Sequence, residues 1–180
     1  MLLTTNAGGD LVVTQAGNEL ISPALKMGQN ILEGRYIDSM LQRASVYIIK
    51  GSASDLYGSD TTGMGVAIAD ENIHLYRPKI IICETAFTQD VALQRGQWQR
   101  CRDLGSSHQA EYTVAGWSHD NGLYRPNQLV HIDDELTELN EQWLIVRVSL
   151  EEGENGRLAA LTVQPPEALV ITKQTATMFF

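Results

Sequence analysis

Three residue types that perform nucleophilic catalysis follow one another at Ser118, His119 and Asp120. A catalytic triad needs its base between the nucleophile and the orienting acid, each within hydrogen-bond reach. Neighbours on a strand point to opposite faces, and neighbours in a turn splay outward, so adjacency works against that geometry. The sequence "SHDNG" is typical of a turn, with Asn121 and Gly122 supplying left-handed positions. We therefore predict a turn with a solvent-facing His119, and no catalytic residues.

A second polar group could hold a metal ion. His131, Asp133 and Glu135 alternate along "LVHIDDE" and could place three ligands on one strand face. The same alternation is also explained by a strand that buries Val130 and Ile132 in the core and exposes its polar residues to water. No second histidine has ligand spacing, so we favour a solvated strand with an exposed His131 and predict no metal ion and no cofactor.

The composition narrows the class of protein. The 180 residues suffice for one well-buried core or for two small subdomains that share one. Thirteen Lys and Arg against 22 Asp and Glu give a net charge of -9 without any basic block, which argues against tight nucleic-acid binding. Cys83 and Cys101 lack metal-ligand spacing and are interpreted as small buried hydrophobes. Neither a signal peptide nor a membrane span is predicted.

Short β-prone runs dominate the chain. The first two are expected to form a hairpin around "NAGG", and the next two to form a pair of antiparallel strands. Ile80 to Cys83 is expected to be a strand buried on both faces. "WLIVRVSL" and "LAALTVQ" flank the turn sequence "EEGENG", which predicts a second hairpin. The β-like runs are Leu2–Thr5, Asp10–Gln15, Asn30–Leu41, Arg43–Lys50, Ile80–Cys83, Ala110–Trp117, Gln128–Asp133, Gln142–Leu150 and Arg157–Gln164.

One helix is predicted over residues 88–104, from an N-cap at Thr88 to a C-terminal stop at Gly105. Trp98, Cys101 and Leu104 recur every three residues, so their face is expected to pack on a sheet. The fold class is therefore α+β, mainly antiparallel β, with one principal helix packed on a sheet that closes into one or more small barrels. By contrast, the Gly-, Ser- and Asp-rich segment near residues 52–65 is expected to be a mobile loop.

Several segments, taken in order, resemble a known family. They are "RASVYIIKGSA", "HLYRPKIIICE", a helix, "YTVAGWSHDNGLYRPNQLVHIDD", "EQWLIVRVSLEEGENGRLAALTV" and "PPEAL", spread from about Asp10 to Leu169. The sequence is similar to the Mu-like bacteriophage baseplate hub proteins, which join tail tube to spike. Hub proteins of this type usually begin with a further barrel domain, so the resemblance implies a fragment or a shortened prophage product.

The resemblance implies a non-enzymatic homotrimer in the virion tail baseplate, assembled in the host cytoplasm. Its barrel domains would form a ring that binds the tail spike and tail tube proteins and through whose lumen DNA passes. It also implies three segments: a β-rich subdomain over residues 1–80, a tube-like barrel domain over residues 81–165 and a C-terminal tail over residues 166–180. The residues expected to fix a strand-turn-strand corner, or to lead into a barrel strand, are Arg77, Pro78, Gly116, Trp117, Tyr124, Arg125, Pro126 and Asn127.

An alternative function is a small β-barrel that binds a ligand or carbohydrate in a cleft. Trp98, Trp117 or Trp143 would then be stacking platforms. Three buried tryptophans would favour a scaffold, and two that line one open groove would favour ligand binding.

Overall fold

The computed structural model describes residues 2–5, 8–17, 19–54, 60–83, 88–154, 156–169 and 177–179. Within these residues the chain forms strands, one α-helix and a short 3-10 helix. The strands before the helix are β1 (Leu2–Thr5), β2 (Leu11–Thr14), β3 (Glu19–Lys26), β4 (Ile31–Asp38), β5 (Val46–Ser54), β6 (Asp60–Ala69) and β7 (Pro78–Cys83). After α1 (Gln89–Ser107) come β8 (His108–Ala115), β9 (Ser118–His119), β10 (Gly122–Leu123), β11 (Gln128–Asp134), β12 (Leu139–Gly153), β13 (Gly156–Gln164), the 3-10 helix (Pro166–Ala168) and β14 (Thr177–Phe179).

The chain divides into two compact units. The first unit comprises Met1–Ser39 and Gly105–Val170, and the second comprises Met40–Leu104 and Ile171–Phe180. The second unit thus interrupts the first in sequence, and the divisions differ from the segment boundaries that we expected at residues 80 and 165. Within the described residues, no helix is long and apolar enough to cross a membrane.

The first unit is built on a six-stranded sheet in the order β3-β11-β12-β13-β8-β4. All its neighbouring strands are antiparallel except β3 and β11. All six strands contribute side chains to one buried cluster, which includes Leu25, Ile31, Tyr112, Ile132, Trp143 and Leu161. Among the described residues β3 and β4 remain the two edges of this sheet, so the expected closed barrel is not found.

The alternation of apolar residues decides which strand faces are buried. In β11 every second residue is buried, including Val130 and Ile132, as predicted. The N-terminal hairpin is also found as predicted, since β1 pairs with β2. Strand β3 was not predicted, because Pro23 interrupts its sequence "ELISPALK". Proline lacks a backbone N–H, and an edge position tolerates this loss.

The second unit contains a four-stranded sheet in the order β14-β6-β5-β7. Strands β5 and β6 are antiparallel, whereas β5 and β7 are parallel. Alternate residues of β5 and β6 form the buried face with Ala92 of α1: Tyr47, Ile49, Val66 and Ile68. One helix packed on a mainly antiparallel sheet confirms the predicted α+β class.

Helix α1 is longer than predicted, because Gly105 does not stop it and it continues to Ser107. At its start the Thr88 hydroxyl accepts a hydrogen bond from the Val91 N–H at 3.3 Å, as expected of an N-cap. Its buried positions include Ala92, Gly96 and Cys101. Trp98 is 39% exposed, so its predicted place against the sheet is wrong.

Three further expectations need correction. The segment near residues 52–65 is in part strand, because β5 runs to Ser54 and β6 begins at Asp60; residues 55–59 lie outside the described part of the chain. Strands β4 and β5 do not pair with each other but belong to different sheets. Strand β7 lies at a sheet edge, where Ile80 and Ile82 are 59% and 75% exposed, so it is not buried on both faces.

Candidate functional site

The predicted corner is the segment from Gly116 to Asn127, which joins β8 to β11 in the first unit. Its first and last residues have left-handed backbone conformations, since φ is 81° at Gly116 and 74° at Asn127. Between them β9 and β10 form a two-stranded hairpin. The Asp120 N–H donates to the Ser22 carbonyl at 2.9 Å and so joins this hairpin to β3.

Trp117 ties the corner to the hairpin of β12 and β13. Its indole Nε1–H donates to the Glu151 carbonyl at 3.0 Å. The Arg157 guanidinium carbon lies 4.7 Å from the centroid of the Trp117 ring, within the range of a cation-π contact. The Gly116 N–H also donates to the Arg157 carbonyl at 2.8 Å. Trp117 thus bridges both strands of the hairpin.

The middle of the corner is buried around Tyr124 and His119. Their ring centroids are 5.4 Å apart, and the Tyr124 N–H donates to the Trp117 carbonyl at 3.0 Å. His119 is 8% exposed, so our expectation that it faces solvent is wrong. Its Nδ1 accepts from the Asn121 N–H at 3.2 Å, and its Nε2 lies 3.3 Å from Nε2 of Gln128. Burial, followed by the charge of Asp120, raises the pKa of Tyr124.

Asn127 fixes the end of the corner through three hydrogen bonds. Its backbone N–H donates to the Ile145 carbonyl at 2.7 Å. Its side-chain Nδ2 donates to the Gln15 carbonyl at 3.0 Å, and its Oδ1 accepts from the Gly17 N–H at 2.9 Å. A single residue therefore joins the β2–β3 connection to β12.

Arg125 and Pro126 are the exposed members of the corner. The Arg125 backbone N–H donates to Oε1 of Gln128 at 2.8 Å. The guanidinium of Arg125 is therefore presented to solvent on a segment whose neighbours hold it in place. Arg125 is thus the basic group of the corner that is open to a partner, and Asp120 is its exposed acidic group.

Arg77 and Pro78 lie in the second unit, at the entry to β7. The Arg77 guanidinium donates to the carbonyls of Met40 and Leu41, the first at 2.9 Å. Its backbone N–H donates to the Ser45 hydroxyl at 2.7 Å, and its carbonyl accepts from the Ser45 N–H at 2.9 Å. Arg77 therefore fixes the segment before β5 and leads into β7.

The sequence did not indicate the buried ion pair of this unit. Arg43 and Asp70 have side chains 3% and 2% exposed, and Arg43 Nη2 lies 2.8 Å from Asp70 Oδ2. Nε of Arg43 also donates to the same oxygen at 3.1 Å. The only available signal was an acid directly after the apolar strand "GVAIA" and a basic residue before "SVYIIK", which does not predict a pair.

The polar residues that resembled a catalytic or metal site do not come together. Ser118 and Asp120 are exposed while His119 between them is buried. His131 Nε2 lies 3.0 Å from Oδ1 of Asn140, and it is partly rather than fully exposed. Asp133 pairs with Lys26 at 2.9 Å. No group of three or more potential metal ligands is found in the part of the chain that the structure describes.

The tryptophans occupy three different settings. Trp143 is 2% exposed and donates from Nε1 to Oε1 of Glu141 at 2.7 Å. Trp117 is half-buried beneath Arg157, and Trp98 lies exposed on α1. The three tryptophans are not all buried, as a scaffold would favour. Within the first unit, Trp117 and Trp143 do not line one open groove, as ligand binding would favour.

The chain is similar to proteins of phage tails. Residues 88–172 match the family described as Mu phage baseplate assembly protein GpP, fourth domain. The chain is 31% identical over 141 residues to the baseplate hub protein gp44 of Escherichia phage Mu. This alignment covers 74% of this chain and 37% of the phage Mu protein. The 43 kDa tail protein of prophage MuSo2 from Shewanella oneidensis has the same fold with a TM-score of 0.84 and 36% identity, over 94% of this chain and 51% of that one. The chain is therefore similar to Mu-like phage baseplate hub and tail proteins.

A more distant tail protein, from Neisseria meningitidis MC58, shares the fold with a TM-score of 0.73 at 17% identity, over 92% of this chain and 52% of that one. The chain spans about half the length of these two solved tail proteins and 37% of the phage Mu hub protein. The corner from Gly116 to Asn127 lies within residues 88–172, which match the baseplate assembly family, whereas Arg77 and Pro78 lie outside these residues.

Proposed function

We propose that this chain is a structural component of a contractile phage tail baseplate, as part of a hub ring that connects the tail tube to the central spike, and that it is not an enzyme. The observation that carries the proposal is the match of residues 88–172 to a baseplate assembly domain. The similarity to the MuSo2 tail protein over 94% of the chain supports it. The protein would act in the virion tail baseplate after assembly in the host cytoplasm.

The proposed ring is a homotrimer that binds the tail spike and tail tube proteins. A cyclic ring repeats one heterologous contact until it closes, and each contact can cover a sheet edge that would otherwise pair without control. The second unit offers such an edge at β7, where Ile80 and Ile82 are exposed. Exposed apolar side chains at a sheet edge support an assembled state of the protein.

The open face of the same sheet also supports assembly. Ile48 pairs with Ile80 across β5 and β7, so both lie on the face opposite the one that packs against α1. Exposed Tyr76 borders a groove of about 360 Å³ on this face. The groove is lined by Val46, Ile48, Lys50, Gly65, Val66, Ala67 and Tyr76. Contiguous apolar surface of this kind marks interaction sites in soluble proteins.

The corner would be a scaffold of the ring. Gly116, Trp117, Tyr124 and Asn127 hold β8, β11 and the β12–β13 hairpin in fixed positions through the contacts given above. Arg125 and Pro126 are exposed on this rigid segment and would face a neighbouring component. In the second unit, Arg77 and Pro78 would fix the entry to the edge strand β7.

The net charge of -9 fits a channel through which DNA passes. A basic wall would bind phosphates and hold the genome, whereas an acidic or neutral wall repels it and lets it slide. The ring would therefore enclose DNA without binding it tightly.

Light scattering of the purified chain at moderate salt tests the ring. We expect about three times the chain mass of 19.9 kDa. A chain that stays monomeric at all concentrations, or one that forms a stable dimer, would contradict the trimer.

Pull-down with the spike and tube proteins from the same tail tests whether the chain binds these two partners. Retention of both proteins supports the hub role, and retention of neither contradicts it.

A further inference from the structure

One face of α1 combines an exposed tryptophan with two arginines. The guanidinium carbons of Arg95 and Arg102 lie 4.7 Å and 5.3 Å from the centroid of the Trp98 ring. Both distances are within the range of cation-π contacts. Arg95 and Arg102 are exposed and Trp98 is 39% exposed. We refer to Arg95, Trp98 and Arg102 as the arginine–tryptophan face.

The chemistry of this face fits an acidic protein surface with an apolar centre. Trp and Arg are the residues most enriched among those that dominate binding energy at protein interfaces. Stacking on the ring holds both guanidinium groups in place before a partner arrives, which lowers the entropy lost on binding. Guanidinium groups bind carboxylates with two parallel hydrogen bonds, and the indole contributes apolar area. The matching partner would carry two carboxylates around an aliphatic side chain.

The turn between β11 and β12 carries that pattern. Glu135 and Glu138 are exposed, and Leu136 between them is 79% exposed. Among the described residues neither glutamate forms an ion pair. The Leu136 N–H donates to Oδ1 of Asp134 at 3.0 Å, and Asp134 is itself 1% exposed, so the turn has a fixed shape. We refer to residues 135–138 as the acidic turn.

Two other acidic residues of the first unit, Glu152 and Asp133, are less suited to this role. Glu152 at the end of β12 is paired with Arg157 at 3.2 Å, and Asp133 is paired with Lys26. Their charges are already partly neutralised within the chain. The acidic turn, in contrast, joins two unpaired carboxylates to a large exposed aliphatic side chain within four residues.

We propose that the arginine–tryptophan face of one copy binds the acidic turn of a second copy. The inference rests on the proposed ring and names the contact that builds it. A heterologous contact needs two different surfaces that complement each other on the same chain, and this chain carries both. Arg95 and Arg102 face Glu135 and Glu138 in the contact, and Leu136 lies against the Trp98 indole.

Charge reversal with rescue tests this contact in the full chain. One variant carries Arg95→Glu and Arg102→Glu, a second carries Glu135→Arg and Glu138→Arg, and a third carries all four substitutions. Sedimentation velocity over a range of concentrations measures association. We expect each of the first two variants to associate at least about tenfold more weakly than the wild type, because like charges then face each other. The third variant, in which the charges are exchanged, should regain association to within about threefold of the wild type.

Two controls separate a lost contact from a lost fold or a changed net charge. Circular dichroism and the thermal midpoint should match the wild type for every variant. Arg35→Glu and Glu71→Arg reverse exposed charges that belong to neither surface and should leave association unchanged.

The outcomes distinguish the contact from the ring. If the wild type associates and the two reversed variants associate equally well, the contact is wrong while the ring stands. Loss of association that the four-fold exchange does not restore also overturns the contact. A wild-type chain that remains monomeric overturns both proposals.

Discussion

Arg43 and Asp70 form an ion pair in which both side chains are almost completely removed from water, with Nη2 of Arg43 2.8 Å from Oδ2 of Asp70. Nη2 also donates to the second carboxylate oxygen at 3.0 Å, and Asp70 Oδ1 accepts from the Asn72 N–H at 3.3 Å. The Asp70 N–H donates to the Ser45 carbonyl at 2.9 Å. The pair therefore joins the end of β6 to the segment before β5.

Removing one charge of this pair should strongly destabilise the second unit. Asp70→Asn keeps the size of the side chain but leaves the Arg43 guanidinium buried without its counter-charge. Loss of one partner of a buried pair costs about 3–5 kcal/mol in free energy of unfolding. Urea denaturation measures this cost. The matched control is Glu152→Gln in the exposed pair with Arg157, which should cost less than about 1 kcal/mol. Equal costs at the two sites would contradict the role given to burial.

Replacing both members of the buried pair should cost less than replacing one. Arg43→Met with Asp70→Leu removes both charges together, and apolar substitution of a whole buried pair is often close to neutral. We expect the double variant to be more stable than Asp70→Leu alone. A double variant that loses the sum of the two single costs would show that the two residues act independently.

Asn127 supplies a second test, because its side chain and its backbone conformation contribute separately. Asn127→Ala removes the hydrogen bonds with Gln15 and Gly17 and places alanine at a φ of 74°. Two hydrogen bonds at about 1 kcal/mol each and a left-handed residue at about 1 kcal/mol predict a loss of about 3 kcal/mol. Asn127→Gly loses the same bonds without the backbone strain and should be about 1 kcal/mol less destabilising. Urea denaturation ranks the two variants, and a more stable Asn127→Ala would contradict this account.

The sequence predicted those strands and helix ends that are determined by the pattern of their own residues. Val130 and Ile132 alternate with polar residues and are buried as expected, and Thr88 caps the helix as expected. Strand β3 was missed because proline is unfavourable inside a strand, and its tolerance at the edge depends on which strands are neighbours. The exposure of Ile80 and Ile82 follows from the edge position of β7, which the apolar run itself does not indicate.

Within the candidate site only the family resemblance named residues, and their role in a hub ring stays a prediction. The resemblance pointed to Trp117 and Asn127, and both make contacts that fix the corner. The Arg43–Asp70 pair joins residues 27 positions apart, and only the register of β5 and β6 brings them together. His119 was assigned to solvent because its turn sequence is polar, yet Tyr124 and Gln128 bury it. Burial of a polar residue in a turn depends on what packs over it, which a local sequence does not specify.

Gly96 marks a close approach of α1 to the sheet of the second unit. An added Cβ would lie 2.6 Å from Cδ1 of both Ile49 and Ile68, so alanine requires these side chains to move. We expect Gly96→Ala to cost about 1–2 kcal/mol despite the better helix propensity of alanine, and Gly96→Val to cost more. Introducing Ile49→Val and Ile68→Val removes both Cδ1 atoms and should reduce the cost of Gly96→Ala. Thermal midpoints measure the difference. Strict additivity of the substitutions would show that the predicted crowding is absent.

Alkaline pH should unfold the protein through its buried tyrosines. Burial, followed by the nearby carboxylates, raises the pKa of Tyr47 and of Tyr112 well above the usual value of 10.0. The Tyr112 hydroxyl donates to Oδ2 of Asp134 at 3.0 Å, which only the protonated hydroxyl can do. A group whose pKa is higher in the folded state holds its proton more tightly there. The contribution to stability is therefore complete below pH 10 and is lost as the pH rises from 10 towards the folded-state pKa.

Each such tyrosine lowers the free energy of unfolding by up to about 1.4 kcal/mol per pH unit in this window. We expect the thermal midpoint to be nearly constant between pH 8 and 9.5 and to fall steeply between pH 10 and 11.5. Tyr112→Phe should lower stability at pH 8, because the Asp134 carboxylate loses a donor in a buried site. The same substitution should make the decline above pH 10 shallower, because one titrating group is gone. The difference in slope between the wild type and Tyr112→Phe is the decisive quantity, and equal slopes would assign the alkaline transition to other groups.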